Sequence, residues 1–145
     1  MPSLSTVETA PAQTIRVLVV EDNEDDRELL LRQLKKANLH EQVQFIGDGK
    51  KALVFLSSRP EERAAQIMVI FLDLKLPSLK GLDLLKAIKA IPRLQRIPVV
   101  VMTSSNNPKD LDECRKLQVL HYVEKPVTFA TFSKSIANVF HAPKP

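Results

Sequence analysis

Cysteine occurs once in the 145-residue chain, at Cys114, tryptophan is absent, tyrosine occurs once, at Tyr122, and glycine three times. One cysteine excludes an internal disulfide and a thiolate metal cluster, and it fits a reducing cytoplasm, the expected location. So few aromatic residues leave little on which single-stranded nucleic acid could stack. The formal charge is +4, yet Lys35, Lys36, Lys50, Lys51, Lys86, Lys89, Arg93 and Arg96 are scattered over several segments. That distribution reads as solvated helix faces, so nucleic acid is not an expected partner. No apolar run approaches the length of a membrane span, so no membrane association is expected either. Residues 1–14 lack the basic start and apolar stretch of a secretory signal and read as a flexible tail. The length suits one domain, expected over residues 15–140, with a short tail at 141–145 and no room for a separate output domain.

What the chain does contain is a regular alternation. The run Val69 to Asp73 is apolar until its last residue and is stopped by Pro77 and Gly81, which reads as a strand buried on both faces. Similar short runs are predicted at Ile15 to Val20, Gln42 to Ile46, Ile97 to Met102 and Val119 to Val123. Helices are predicted between them. Asn23 caps the first, with Glu24, Asp25 and Asp26 in its opening turn, and Leu30, Leu34 and Ala37 keep helical spacing. Ala52, Leu53 and Leu56 mark the second, Leu82, Leu85 and Ile88 the third. Asn107-Pro108 opens the fourth, with Leu111, Cys114 and Leu117 on one stripe. Phe129, Phe132, Ile136, Val139 and Phe140 give the strongest amphipathic pattern and predict a last helix against the sheet. Ser57 to Gln66 reads as a polar loop. Five alternations predict an α/β fold, a five-stranded parallel sheet with helices on both faces.

In such sheets ligands sit beyond the carboxyl ends of the strands. That rule selects Glu21, Asp22, Asp73, Thr103 and Lys125, each at or just after a strand. A lone buried carboxylate at Asp73 would cost several kcal/mol, and three clustered acids would repel, unless a cation joins them. A hard divalent ion, Mg2+ or Mn2+, suits oxygen ligands without histidine or cysteine. Lys125 and the Thr103 hydroxyl complement a phosphoryl group on Asp73, and aspartate is a known covalent acceptor. Taken singly, each residue has a plainer reading as a turn or surface group; the joint pattern at four strand ends favours the functional one.

These pieces resemble the receiver domain of two-component response regulators over Ile15 to Phe140. The matching stretches are Val20-Glu21-Asp22, Leu72-Asp73 through Pro77 with Gly81, Met102-Thr103-Ser104, and Val123-Glu124-Lys125-Pro126. The resemblance implies a flavodoxin-like (βα)5 fold and a switch, not a turnover enzyme. It implies that Asp73 accepts a phosphoryl group from a sensor histidine kinase. Metal binding would fall to Asp22, Asp73 and the backbone carbonyl of Lys75, with Glu21 acting through metal-bound water. Thr103 and Lys125 would hold the phosphoryl oxygens, and Tyr122 occupies the place of an aromatic switch residue.

The loop from Ser57 to Gln66 and the segments Leu84 to Ile88 and Ile97 to Val101 further resemble stand-alone receivers that serve bacterial phytochrome kinases. By that resemblance a homodimer through the fourth helix, fifth strand and last helix is expected, as is a downstream protein target. Three alternatives stay open: a Mg-dependent haloacid-dehalogenase-like phosphatase, a flavin-binding module, or an unphosphorylated interaction module of the same fold. Lys75 weighs against the phosphatase, which needs a carboxylate two residues past its nucleophile. The acids after the first strand weigh against flavin phosphate without a metal.

Overall fold

The computed structural model describes residues 14–104 and 107–141. Five strands, β1 (Val17–Val20), β2 (Val43–Ile46), β3 (Val69–Asp73), β4 (Val99–Thr103) and β5 (His121–Glu124), form one parallel sheet. Their spatial order is β2-β1-β3-β4-β5. The chain steps outward from β1 to β2, then returns past β1 to β3. The strand order therefore reverses between β1 and β3, where ligands of such folds bind. Between the strands lie α1 (Glu24–Lys36), α2 (Gly49–Ser58), α3 (Glu61–Ala64), α4 (Gly81–Ala90), α5 (Pro108–Lys116) and α6 (Phe129–His141). None of the helices among the described residues is long and apolar enough to cross a membrane.

The strict two-residue alternation of side chains splits the core in two. Leu18, Val20, Ile70, Leu72, Val99 and Val101 face α2, α4 and α5 through Ala52, Leu56, Leu84, Leu85, Ile88 and Cys114. Val17, Val19, Val69, Phe71, Val100 and Met102 face α1 and α6 through Leu30, Leu34 and Phe132. Every residue of β1, β3 and β4 is buried, which explains their unbroken apolar runs. Phe71 and Phe132 stack with centroids 5.7 Å apart and fasten α6 to the sheet.

Helix ends follow local chemistry. Asn23 accepts from Asp26 N, and Asn107 accepts from Lys109 N ahead of Pro108. Asn38 at φ 60° closes α1, with Leu39 N donating back to Leu34 O, a left-handed stop that asparagine tolerates.

Several expectations shift. The segment read as a loop from Ser57 contains the end of α2 and the one-turn α3. With Ala64 its only buried residue, α3 offers no periodicity to read. Ile15 lies ahead of β1, β4 begins after Pro98, and β5 begins two residues later than expected, at His121. Phe129 is 45% exposed beneath the Lys36 ammonium and does not belong to the core stripe. His141 closes α6 and is not part of a tail. The tails expected at 1–14 and 141–145 otherwise fall, apart from Thr14, outside the described residues.

Candidate functional site

Parallel pairing brings the candidate residues to one edge. Val20 is paired with Leu72, so Glu21 and Asp22 emerge beside Asp73, while Thr103 is paired with Glu124 and Lys125 follows at once. Lys125 N donates to Thr103 O at 2.8 Å and fixes the fifth-strand exit against the fourth.

The turn after Asp73 is held tightly. Asp73 Oδ1 accepts from Lys75 N at 3.0 Å. Gly81 N donates to Leu74 O at 3.0 Å, and a Cβ at Gly81 would stand 2.4 Å from Asp73 O, so only glycine lets α4 start this close. Farther round, Ser78 holds a left-handed φ of 66° and donates its hydroxyl to Asp48 Oδ1 at 2.8 Å. That bond ties the turn to the N-terminus of α2 and offsets the strain of a non-glycine residue there. Asp48 also accepts from Lys51 N, and these bonds hold its carboxyl below the usual range.

The answer to a carboxylate at the end of an apolar strand is an ammonium. Lys125 Nζ donates to Asp73 Oδ2 at 2.9 Å and to Asp26 Oδ2 at 3.0 Å. It also lies 2.6 Å from Glu21 Oε1, an ion contact without hydrogen-bond alignment. Glu21 Oε2 accepts from Asn23 N, which leaves Oε1 buried with no aligned donor. Glu21 is 1% exposed and Asp73 4%. Burial pushes the Glu21 carboxyl up to about 7; the Lys125 contact opposes this, and neighbouring Asp73 adds to it. Burial works against the Lys125 charge, but its bonds to Glu21, Asp73 and Asp26 outweigh it and raise that group further.

Glu21, Asp22 and Asp73 each offer an oxygen within 4.8 Å of the others. Asp22 is exposed and makes no ion pair among the described residues. Four carboxylates, counting Asp26, against one ammonium leave 4 − 1 = 3 formal negative charges. A phosphoryl dianion could not approach such a site without added positive charge. All-oxygen ligands and a surplus of negative charge fit a hard dication such as Mg2+ or Mn2+.

Thr103 ends β4, is 1% exposed, and is hydrogen-bonded through its side chain to the Tyr122 phenol. Tyr122 is half-buried against the α4 and α5 core, and burial raises its phenol. Every site residue expected from the sequence thus lies at this edge, with Tyr122 one layer behind Thr103. Lys75 contributes its backbone; its side chain is exposed. Asp26 was missed as a site residue: in the sequence it is one of three acids that suit a helix dipole. Its partner lies 99 residues away.

The family described as the response regulator receiver domain matches residues 17–137. The chain belongs to that family. Response regulator Rcp1 of Synechocystis sp. is 34% identical to this receiver over 124 residues, which cover 85% of this chain and 84% of Rcp1. The bacteriophytochrome response regulator RtBRR superposes with a TM-score of 0.75 at 36% identity, covering 92% of this receiver and 82% of RtBRR. The Mn(2+)-bound form of Rcp1 gives 0.73 at 32%, covering 89% and 97%. The phosphorylated cyanobacterial phytochrome response regulator RcpA gives 0.72 at 32%, covering 87% and 91%. The fold expectation, a parallel five-stranded receiver sheet, holds, and the chain is a two-component signalling domain.

Proposed function

We propose that Asp73 is the phosphoacceptor of this receiver and that it takes its phosphoryl group from the phosphohistidine of a sensor kinase. The observation that carries the reading is the Lys125 ammonium 2.9 Å from Asp73 Oδ2, within a set of carboxylates that carries excess negative charge. Asp22, Asp73 and the Lys75 backbone carbonyl would hold Mg2+ or Mn2+, with Glu21 acting through water on the ion. When bound, the ion neutralises charge between the incoming phosphoryl oxygens and the acids. The chain's own groups do the rest. Asp73 supplies the attacking oxygen, and Lys125 moves a hydrogen bond from that carboxylate to a phosphoryl oxygen. Thr103 donates its hydroxyl to another, and its link to Tyr122 passes the change toward α5 and β5.

The kinase is a bacteriophytochrome type in this reading. Support comes from the 36% identity with RtBRR and from the name of RcpA. Output is a protein contact or a homodimer through the face formed by α5, β5 and α6, in the cytoplasm. Autodephosphorylation is the only reaction the domain assists besides its own phosphorylation. Lys75, exposed and cationic, leaves a haloacid-dehalogenase-type phosphatase without its second acid.

The test is incubation with acetyl phosphate and Mg2+, read by intact mass. A single phosphoryl adduct is expected in the wild type and none in Asp73→Asn. Equal adduct in both would overturn the assignment.

A further inference from the structure

We propose that Asp26 is a positioning residue for phosphoryl transfer, the fixed anchor that keeps the Lys125 ammonium facing Asp73 while its other partners change. This rests on the reading of Asp73 as acceptor. Lys125 Nζ has three protons to give and touches three carboxylates: Glu21, Asp73 and Asp26. Two of those contacts must be given up. Glu21 Oε1 belongs to the group expected to turn toward the metal, and Asp73 Oδ2 belongs to the nucleophile. In transfer from acetyl phosphate, an Asp73 oxygen forms the new O–P bond as the donor's O–P bond breaks. Acetate leaves with that electron pair, and no proton needs to move. The Lys125 hydrogen that pointed at Asp73 must then point at the phosphoryl group.

Asp26 alone has no such second duty. It stands outside the set of oxygens within 4.8 Å that would hold an ion. Its backbone is fixed in the first turn of α1, with Asp26 N donating to the Asn23 cap at 2.9 Å. Its carboxylate is 32% exposed, against 12% for Lys125, so it holds the ammonium from the solvent side of the pocket. Without that anchor the ammonium closes on Glu21 and Asp73, shields the attacking oxygen and competes with the dication for both acids.

The test measures the rate of adduct formation with acetyl phosphate at saturating Mg2+ in five proteins: wild type, Asp26→Asn, Asp26→Ala, Lys125→Ala, and the double variant Asp26→Ala with Lys125→Ala. Asp26→Ala should slow the rate about tenfold, and Asp26→Asn, which keeps an acceptor oxygen without the charge, about threefold. In the Lys125→Ala background, Asp26→Ala should change the rate by less than about twofold, because the residue acts through the lysine. A purely structural role would slow both backgrounds alike, and that result overturns the proposal. So does an Asp26→Ala rate within about twofold of wild type. If the alanine variant does not fold, Asp26→Asn made with and without Lys125→Ala carries the same comparison. A wild type that forms no Asp73-dependent adduct refutes the receiver-site reading first, and this inference with it.

Discussion

At the amino-terminal end of the strands, a cleft of about 620 Å3 opens between α3 and the segment Pro92 to Pro98, lined by Glu61, Ile67, Arg93, Gln95 and Arg96. At the carboxyl end four acids and a lysine meet, with Glu21 and Asp73 almost wholly buried. The roomy end keeps its charged side chains exposed to water, where their interactions are screened and cheap. The crowded end has removed charge from water and must hold it in place with backbone and ammonium. Desolvated charge therefore marks where the chemistry sits.

The sharpest way to break this comparison is to disturb the backbone that holds the charges. A Cβ at Gly81 would meet Asp73 O at 2.4 Å and Leu74 Cα at 2.5 Å, both backbone atoms that cannot swing aside. Gly81→Ala should therefore destabilise the domain by about 2–3 kcal/mol in urea unfolding. The displaced Asp73 should also weaken Mn2+ binding in the same protein by titration calorimetry. An alanine variant as stable as wild type would mean that the turn is looser than these contacts require.

The second effect comes from Glu21. Its carboxyl titrates near 4.5 when unfolded and is raised to about 7 in the fold, chiefly by burial. Between those values the folded state holds more protons than the unfolded one, so this group's contribution to stability is present at low pH and falls as pH rises from about 4.5 to 7. Without metal, Glu21→Gln should remove that decline, flattening the stability profile by on the order of 2 kcal/mol relative to wild type across the window. Added Mg2+ should restore wild-type stability at pH 7, because the ion binds the deprotonated site, and should do less for Glu21→Gln at equal concentration. Parallel profiles for the two proteins would show that the acid is better solvated than its burial indicates.

How far all this could be read in advance depends on the range of the interactions. Val69 to Asp73 announced a buried strand with an acid at its end because β-branched and apolar residues leave no polar face, and the strand-end rule then gathered Glu21, Asp22, Thr103 and Lys125. The helix starts at Asn23 and at Asn107-Pro108 were legible because caps are local. Asp26 was not legible, since its distinguishing contact spans the whole chain and its immediate setting is that of any acid in a first turn. Phe129 misled for the opposite reason: its spacing fits the stripe of Phe132, Ile136 and Val139, but at the first position of α6 its ring lies exposed beneath the Lys36 ammonium. The one-turn α3 left no pattern because a single buried alanine makes no period.

A smaller effect concerns Lys75, whose backbone N–H binds Asp73 Oδ1 while its side chain extends into solvent. A cation that close to the acceptor can sit over an acyl phosphate and hinder water. Lys75→Asn should change the autodephosphorylation rate severalfold, measured by loss of adduct mass after donor removal, with no change in Asp73-dependent loading. An unchanged rate would assign the lifetime to groups inside the pocket.

The smallest expected effect is at the other end of the sheet, and it tests the comparison most directly. Arg93 and Arg96 line the cleft from exposed positions, and Arg93 donates to the Ser57 carbonyl at the exposed end of α2, where water can take its place. Exposed pairs of this kind contribute about 0–1 kcal/mol. Replacing both arginines with alanine should leave stability within about 0.5 kcal/mol, and phosphoryl loading and Mn2+ affinity within about twofold. Both guanidiniums line the cleft beside residues that precede β3 and β4, at the opposite end of the strands from the acids, and their exposed charge is screened by solvent. A large loss of loading in the double variant would mean that the cleft and the acids are coupled through the sheet, so that the two ends could no longer be treated as separate.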